Sequence, residues 1–321
     1  MFSRVGALLL VTIALLAIGF ISFAQIARDG LTQNLSRWAQ QRRTEGWIVE
    51  AHLAPPPASI FAPEIGLRGI NIEGGDNWFK SGFALAADDA VMRVDLFDPT
   101  VIHVTVKGNV SLRLASSPRI TFTPQKLLIT VKLRTESLGA EGKLGTITID
   151  GKDLNSTGTD GSSIGLLNAV LTVTDTGASV DLRTEAIVIP VDPLGLGRHL
   201  SDVTLDAALV GFPPQIGDRR ERVDIWRASG GKITISRLVA GWGPLGIVGE
   251  GEVGLDPSLQ PDGSAKFEVR GYQSALNGLG GVGSLISAMN PGDDAIFDLR
   301  LKKDKLSVDR MTLLKMAPLQ W

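Results

Sequence analysis

The chain of 321 residues contains no cysteine, which excludes disulfide bonds and thiol chemistry. It has a single tyrosine, and aromatic residues make up only 6% of the sequence. Few rings are therefore present on which exposed bases could stack. Charge is nearly balanced, with 32 lysines and arginines against 34 aspartates and glutamates. Because a nucleic-acid interface needs a clustered basic surface, we expect no nucleic-acid partner.

Histidine is also scarce, and His52, His103 and His199 lie far apart in the sequence. A metal site needs several ligands that converge, so we interpret all three as ordinary strand or loop residues. The acidic pairs Asp88-Asp89 and Asp293-Asp294 fall at expected turns or strand starts. Aspartate is common there because its side chain bonds the local backbone. We therefore predict no metal site.

A complete calcium loop and a dinucleotide-binding turn are missing as well. The segment Asp150–Asn155 resembles part of a calcium loop but lacks the terminal glutamate. The glycine-rich segment Gly278–Gly283 does not follow a strand into a phosphate-binding turn. The sequence predicts no catalytic, cofactor-binding or metal-binding residue, no cofactor and no enzymatic activity.

One long apolar run stands at the amino terminus. Val5 to Ala24 carries no charge, and its roughly 20 residues match the length of a membrane-spanning helix. A cleaved signal peptide has an apolar core of only about 7–15 residues. Although Ser22-Phe23-Ala24 would be an acceptable cleavage site, the length favours a retained anchor. The arginines that follow, counted alone, would place the body in the cytoplasm.

The residues after this run continue a helical pattern. Ile26, Leu31, Leu35 and Trp38 lie near one face, with arginines around the others, and Gly46 ends the helix. Two interpretations remain open. The helix could form a collar with Trp38 at the membrane boundary and its arginines on phosphates. It could instead be a stalk that packs on its own domain.

From Trp47 onward, short segments of alternating apolar and polar residues are typical of half-buried strands. The clearest are Leu67–Ile72, Val91–Leu96, Val101–Val106, Leu127–Leu133, Thr146–Asp150, Leu167–Val173, Ser179–Ile189, Leu205–Val210, Ile233–Ile235, Ile247–Leu255, Ala265–Val269, Ala295–Leu301 and Lys305–Val308. Turn signals separate them, including Asp98-Pro99, Lys107–Asn109, Asp150–Asp153, Asp175–Gly177, Asp256-Pro257 and Pro261–Gly263. No strand–helix–strand rhythm appears, so we expect an antiparallel meander and not a parallel sheet.

The best internal boundary is Phe212–Arg222, where two prolines precede a charge run typical of a solvated loop. Later, apolar residues between Leu276 and Met289 recur at helical spacing. The predicted organisation is an anchor and stalk helix (1–45), a first β-rich block (46–211), a charged linker (212–225) and a second β-rich block with one helix (226–321). The fold class is mainly β: an N-terminal transmembrane helix, then a long, curved antiparallel sheet with a late helix.

The stretch from Trp226 to Gly271 carries a family resemblance. Trp226, Gly230-Gly231, Trp242–Leu245, Gly249–Gly251 and Leu255-Asp256 follow in this order, and Gln41–Trp47 adds to them. This pattern resembles an uncharacterised bacterial envelope family, the domain of unknown function 2125. The resemblance implies an exported, single-pass inner-membrane protein with a β-rich body in the periplasm. It brings no known catalytic residues.

Several strands have apolar residues at consecutive positions, such as Leu127–Ile129, Ala186–Ile189 and Leu238–Ala240. Such strands are expected to be buried on both faces. Either the sheet folds over on itself, or one face forms an apolar groove. A groove would suit the acyl chains of a lipid ligand, by analogy with large envelope lipid-transfer proteins. The alternative is a structural or scaffolding envelope protein with a packed core, no ligand and an envelope protein partner.

Overall fold

The computed structural model describes residues 25–54, 63–74, 82–114, 119–134, 143–158, 161–192, 195–214, 217–278, 292–302, 305–308 and 311–315. These residues are mainly β, and within each of two compact units every strand pairs antiparallel with its neighbour in the chain. They form two compact units, residues 1–144 and residues 145–321. The antiparallel meander expected from the alternating pattern is confirmed.

Unit 1 combines one helix with a sheet whose strands lie in chain order. Its elements are α1 (residues 25–44), β1 (Ile48–Leu53), β2 (Glu64–Gly74), β3 (Phe83–Val94), β4 (Val101–Leu114) and β5 (Ile120–Arg134). Leu31 of α1 is buried against Ile65, Leu67 and Val94 of the sheet. Helix α1 therefore packs on its own domain, as the second interpretation of this segment expected.

The packed face of α1 is only in part the one that the sequence indicated. Ala27 and Leu35 join Leu31 against the sheet, whereas Ile26 is 70% exposed and Trp38 is 37% exposed. After α1, Gly46 adopts a left-handed φ of +86°, which glycine does at low cost. Among the described residues, no helix is long and apolar enough to cross a membrane. The predicted anchor Val5–Ala24 lies outside those residues.

Unit 2 continues the meander and inserts two helices. Its elements are β6 (Lys143–Ser156, which begins at the boundary), β7 (Ser163–Val173), β8 (Gly177–Val188), β9 (His199–Val210), α2 (Arg219–Ala228), β10 (Lys232–Trp242), β11 (Leu245–Leu255), β12 (Pro261–Arg270), α3 (Tyr272–Gly278), β13 (Asp294–Lys302), β14 (Lys305–Val308) and β15 (Met311–Lys315). Helix α3 confirms the start of the predicted late helix, and residues 279–291 lie outside the described part of the chain.

Three predicted turns were wrong, because their residues lie inside strands. Lys107–Asn109 lies within β4, where Gly108 has a φ of +77° and the register shifts between Val106 and Val110. Asp153, with a φ of +49°, lies within β6, and Pro261–Gly263 begins β12. A left-handed residue can serve a bulge as well as a turn, so the strand continues past it.

The charge run near residue 220 is a helix and not the predicted solvated loop. Asp218 is the N-cap of α2, and its Oδ1 accepts a hydrogen bond of 2.9 Å from the backbone N–H of Glu221. The strands on either side, β9 and β10, pair directly with each other. Helix α2 is thus an insertion between neighbouring strands of unit 2.

Candidate functional site

One face of the unit 2 sheet is apolar across nine neighbouring strands. Residues that are directly opposite in an antiparallel pair lie on the same face, so the register defines rows that cross the sheet. A first row consists of Ile147, Leu171, Val180, Ala207, Ile235, Gly251, Ala265, Leu299 and Val308. The second consists of Ile149, Ala169, Leu182, Leu205, Leu238, Gly249, Phe267 and Phe297. We call the surface formed by these two rows the apolar face.

The other face of the same strands is mostly polar. The row next to the first one consists of Thr146, Thr172, Ser179, Ala208, Thr234, Glu252, Ser264, Arg300 and Ser307. In β12 the contrast is plain, because Phe267 and Val269 are half-buried while Glu268 and Arg270 are exposed. The sheet is therefore amphipathic, yet most side chains of the apolar face are only half-buried.

A β-bulge in β10 keeps the apolar face continuous. The register shifts between Ile235 and Leu238 against both neighbouring strands, so that both residues lie on the apolar face. Val239 consequently lies on the polar face, opposite Val248, which is 50% exposed. Burial of Leu238–Ala240 on both faces was expected from their consecutive apolar residues, and this expectation was wrong. The bulge changes the phase of the alternation, and Val239 is half-buried beside the exposed Val248.

Helix α3 covers one end of the strands on the apolar side. Tyr272, Ala275 and Leu276 are buried with Leu245 and Ala295, and half-buried Phe297 packs against this cluster. The Tyr272 ring meets Phe297 edge-on, at 5.7 Å between centroids and 88° between planes. Such edge-to-face geometry adds to the gain from apolar burial. The second row is therefore closed where it reaches β13.

Helix α2 covers the opposite end of the strands, also on the apolar side. Its Trp226 lies over Gly231, where any Cβ atom would collide with the indole, and over Gly211. Gly231 stands two residues before Ile233, directly before β10, so Trp226 lies on the side of the sheet that Ile233 faces. The Trp226 Nε1–H donates to the carbonyls of Val210 and Gly211, at 3.0 and 3.1 Å. Small residues at this end thus make room for one large ring.

The three histidines lie on separate strands and do not form a cluster. His52, His103 and His199 lie in β1, β4 and β9. His103 Nδ1 is 3.1 Å from Thr130 Oγ1, and its Nε2 is 3.5 Å from Asp95. Among the residues that the structure describes, no group of three histidines, aspartates or glutamates could hold a metal ion.

The acidic candidates have local partners or fall on strands. Asp88 Oδ2 accepts hydrogen bonds from the backbone and side-chain N–H groups of Asn109, at 2.8 and 2.9 Å. Asp150 accepts one from Asn168 at 2.6 Å, within the paired strands β6 and β7. Asp293 uses its backbone carbonyl to accept from Gly271, and Asp294 begins β13. The segment Asp150–Asn155 lies inside β6, and Gly278 ends α3.

The turn between β3 and β4 contains two carboxylates with lowered pKa values. Backbone N–H groups of Phe97 and Asp98 bond to Asp95 at 2.8 and 3.1 Å and lower its pKa. The Thr100 hydroxyl and backbone N–H do the same for Asp98, at 2.6 and 3.1 Å. These bonds favour the charged carboxylates. Both groups are half-buried turn formers, and their role is structural.

Two shallow polar clefts of about 480 and 590 Å³ lie in unit 2, and they share Glu252, Ser264 and Arg300. Both signs of charge alternate along them, and Lys232 pairs with Glu252 at 2.7 Å. Such mixed charge favours no ligand of one sign. The apolar face is the stronger candidate site, and sequence reasoning missed its continuity because rows across strands depend on register.

Comparisons with curated proteins and with solved structures find no match. One family model does match, over residues 25–292, and it is described as an uncharacterized protein conserved in bacteria. The matched range begins with α1 and includes α2, the β10–β11 hairpin and α3. The chain therefore belongs to the family of the domain of unknown function 2125, DUF2125.

Proposed function

We propose that this protein is an anchored envelope protein that binds the acyl chains of lipids on the apolar face of unit 2. The observation that carries the proposal is the face itself: two apolar rows, continuous from β6 to β13, whose side chains are largely only half-buried. Eight strand spacings of ~4.8 Å make the first row about 38 Å long. Soluble monomers rarely leave an apolar surface of more than a few hundred Å² exposed.

A hydrocarbon chain fits the chemistry of this face. The two rows contain only glycine, alanine, branched aliphatic residues and phenylalanine, so they offer apolar contact and no side-chain hydrogen bond. Each methylene group that leaves water for such a surface contributes about 0.8 kcal/mol. A lipid chain would gain this contribution repeatedly without needing a polar anchor point. A scaffolding role, in which no lipid occupies the face, is the alternative that the experiment below separates.

The amino-terminal run supports a place at the membrane. Val5–Ala24 is long enough for a retained inner-membrane anchor, and α1 follows directly and packs on unit 1. The proposed body lies in the periplasm, since large trailing domains translocate largely regardless of the arginine count. A carboxy-terminal alkaline phosphatase fusion should then be active. A mature amino terminus at Gln25, or activity only of a cytoplasmic reporter, would overturn this part of the proposal.

The lipid test uses two neighbouring residues on opposite faces of β10. Leu238→Asp places a charge on the apolar face, whereas Val239→Asp places the same charge on the polar face. Both full-length variants keep the anchor, so lipid held by the anchor is common to both. Lipid that co-purifies with each protein is measured by mass spectrometry, and folding is checked by circular dichroism.

We expect Leu238→Asp to lose the lipid that wild type and Val239→Asp retain. Equal lipid in all three proteins would contradict the proposal and favour the scaffold. If Leu238→Asp fails to fold, Leu238→Ser provides a milder loss of apolar surface at the same position. Full lipid retention by a folded Leu238→Ser together with an unfolded Leu238→Asp would also count against the proposal.

A further inference from the structure

We propose that the bound acyl chain lies across the strands and not along them, in a lane that passes from strand to strand between α2 and α3. This inference rests on the function proposed above. It adds a direction: the lane lets a chain move over unit 2 from β6 toward β14, instead of occupying one closed pocket. Three features of the described residues support it.

The first feature is that the ends of the strands are covered. Trp226 of α2 lies over Gly211 and Gly231 at one end of β9 and β10. At the other end, Tyr272 and Leu276 of α3 are buried over the strands that contain Leu245 and Ala295. A chain aligned with these central strands would meet a helix in either direction. A chain aligned across them would meet no helix among the described residues.

The second feature is the continuity of the first row, which crosses nine strands without a polar side chain. Its middle part is formed by small residues, with Ala207, Gly251 and Ala265 on either side of Ile235. The bulge in β10 keeps Leu238 beside this row, whereas an unbulged strand would place it on the polar face. Strand β10 therefore needs one extra residue to keep the apolar face continuous.

The third feature is the uniform chemistry of the lane. A pocket that fixes its ligand usually has a few convergent polar groups, which set the orientation. The two rows contain no hydrogen-bonding side chain, so a chain displaced by one strand exchanges one apolar contact for another. Each step should therefore change the free energy little. Such a surface holds hydrocarbon and still lets it move.

The test places a photo-crosslinking amino acid, benzoylphenylalanine, at three positions of the first row in the full chain. Ile147 in β6, Ala207 in β9 and Leu299 in β13 sample the two ends and the middle of the lane. Each has a matched control, the next or preceding residue of its strand on the polar face. These controls are Thr148, Ala208 and Asp298. The probe is phospholipid with a radiolabelled palmitoyl chain, incorporated in the living cells.

We expect labelled adducts at all three lane positions and none above background at the controls. Adducts confined to one strand would overturn the lane in favour of a local pocket, while lipid binding itself would stand. Adducts at none of the lane positions would instead overturn the lipid-binding function. The two proposals can therefore fail separately.

A blocking variant tests movement along the lane. Ala207→Trp places a large ring in the middle of the first row, and Ala208→Trp places the same ring on the polar face. We expect Ala207→Trp to abolish the adduct at one end, Ile147 or Leu299, and to leave the adduct at the other. Ala208→Trp should preserve both. Undiminished adducts at both ends of the Ala207→Trp protein would show that chains reach each strand independently, and the lane would be refuted.

Discussion

A single methyl group at Gly243 should destabilise the hairpin between β10 and β11. Trp242 and Leu245 are paired, so Gly243 and Pro244 form a two-residue turn. Gly243 has a φ of +56°, and a Cβ built there lies 2.8 Å from the backbone oxygen of Leu196. The left-handed conformation costs a non-glycine residue about 1–2 kcal/mol. Forcing an extra group into a packed site costs roughly 1–3 kcal/mol more.

The neighbouring loop cannot easily move away from the added methyl group. The Trp242 indole N–H donates to the Gly197 carbonyl at 2.6 Å, which ties the loop to the hairpin. On its other side, Asp192 accepts hydrogen bonds from the N–H groups of Leu196 and Gly197, at 2.9 and 2.8 Å. Relief of the contact would break at least one of these bonds. We therefore expect Gly243→Ala to lower the free energy of unfolding by about 2–5 kcal/mol.

The matched control is Gly195→Ala in the same loop. Gly195 has a φ of +70°, but no atom of the described residues lies within 4 Å of its hypothetical Cβ. It should lose only the backbone contribution, so Gly243→Ala should cost roughly 1–3 kcal/mol more than the control. Urea unfolding followed by tryptophan fluorescence measures both. Equal losses would refute the steric argument, and a neutral Gly243→Ala would refute the argument as a whole.

Two further predictions concern local hydrogen bonds. Asp218→Ala removes the N-cap of α2 and should lower the free energy of unfolding by about 1 kcal/mol. Asp218→Ser should keep most of this stability, because its hydroxyl can accept the same hydrogen bond. Equal unfolding midpoints for Asp218→Ala and wild type would contradict this prediction. The second prediction concerns the stability of the protein at acidic pH. Because the N–H groups of Phe97 and Asp98 hold the pKa of Asp95 below its ordinary value of 3.8, this carboxylate contributes stability above that pH. The contribution is lost as the pH falls through the lower folded pKa. The free energy of unfolding, measured with urea at several acidic pH values, should fall less for Asp95→Asn than for wild type. An equal fall in the two proteins would speak against the role of Asp95.

The fold class could be predicted because period-two alternation is a local property. In β12, Phe267 and Val269 alternate with Glu268 and Arg270 in the sequence, and the structure confirms their burial pattern. Turns were less predictable. Gly108 has the residue type that either a hairpin or a bulge requires, and only the partner strand decides between them. The outcome depends on the register between the two strands, and the sequence of one strand does not define that register.

Helix α2 could have been predicted from its sequence. Asp218 stands three residues before Glu221, and this spacing is typical of a helix start. The preceding prolines and the run of arginines favoured a loop instead. Trp226 and Gly231 were noticed as family signals, but their contact depends on how the helix returns onto β10. The apolar face could not be predicted from the sequence, because its rows cross nine strands and depend on the register between them.

The bulge in β10 offers a final test of how the apolar face is built. Ile233 and Ile235 have odd residue numbers and Leu238 has an even one, yet all three lie on the apolar face. Ser236 is the extra residue against β9, because Ile235 pairs with Ala207 while Arg237 already pairs with Asp206. Against β11 the extra residue also lies between Ile235 and Leu238. Deletion of Ser236 should therefore leave every later side chain on its present face.

Deletion of Val239, three residues further on, should have the opposite effect. A shift by one residue sends each following side chain to the other face. Trp242 would then leave the cluster under α3 and its bond to Gly197. Loss of a buried tryptophan costs about 3–5 kcal/mol, and the half-buried Trp242 should approach the lower value. Urea unfolding of the two deletion variants compares them directly. Because both lack one residue of the same strand, equal destabilisation would show that Ser236 is not the bulge residue that sets the phase of the apolar face.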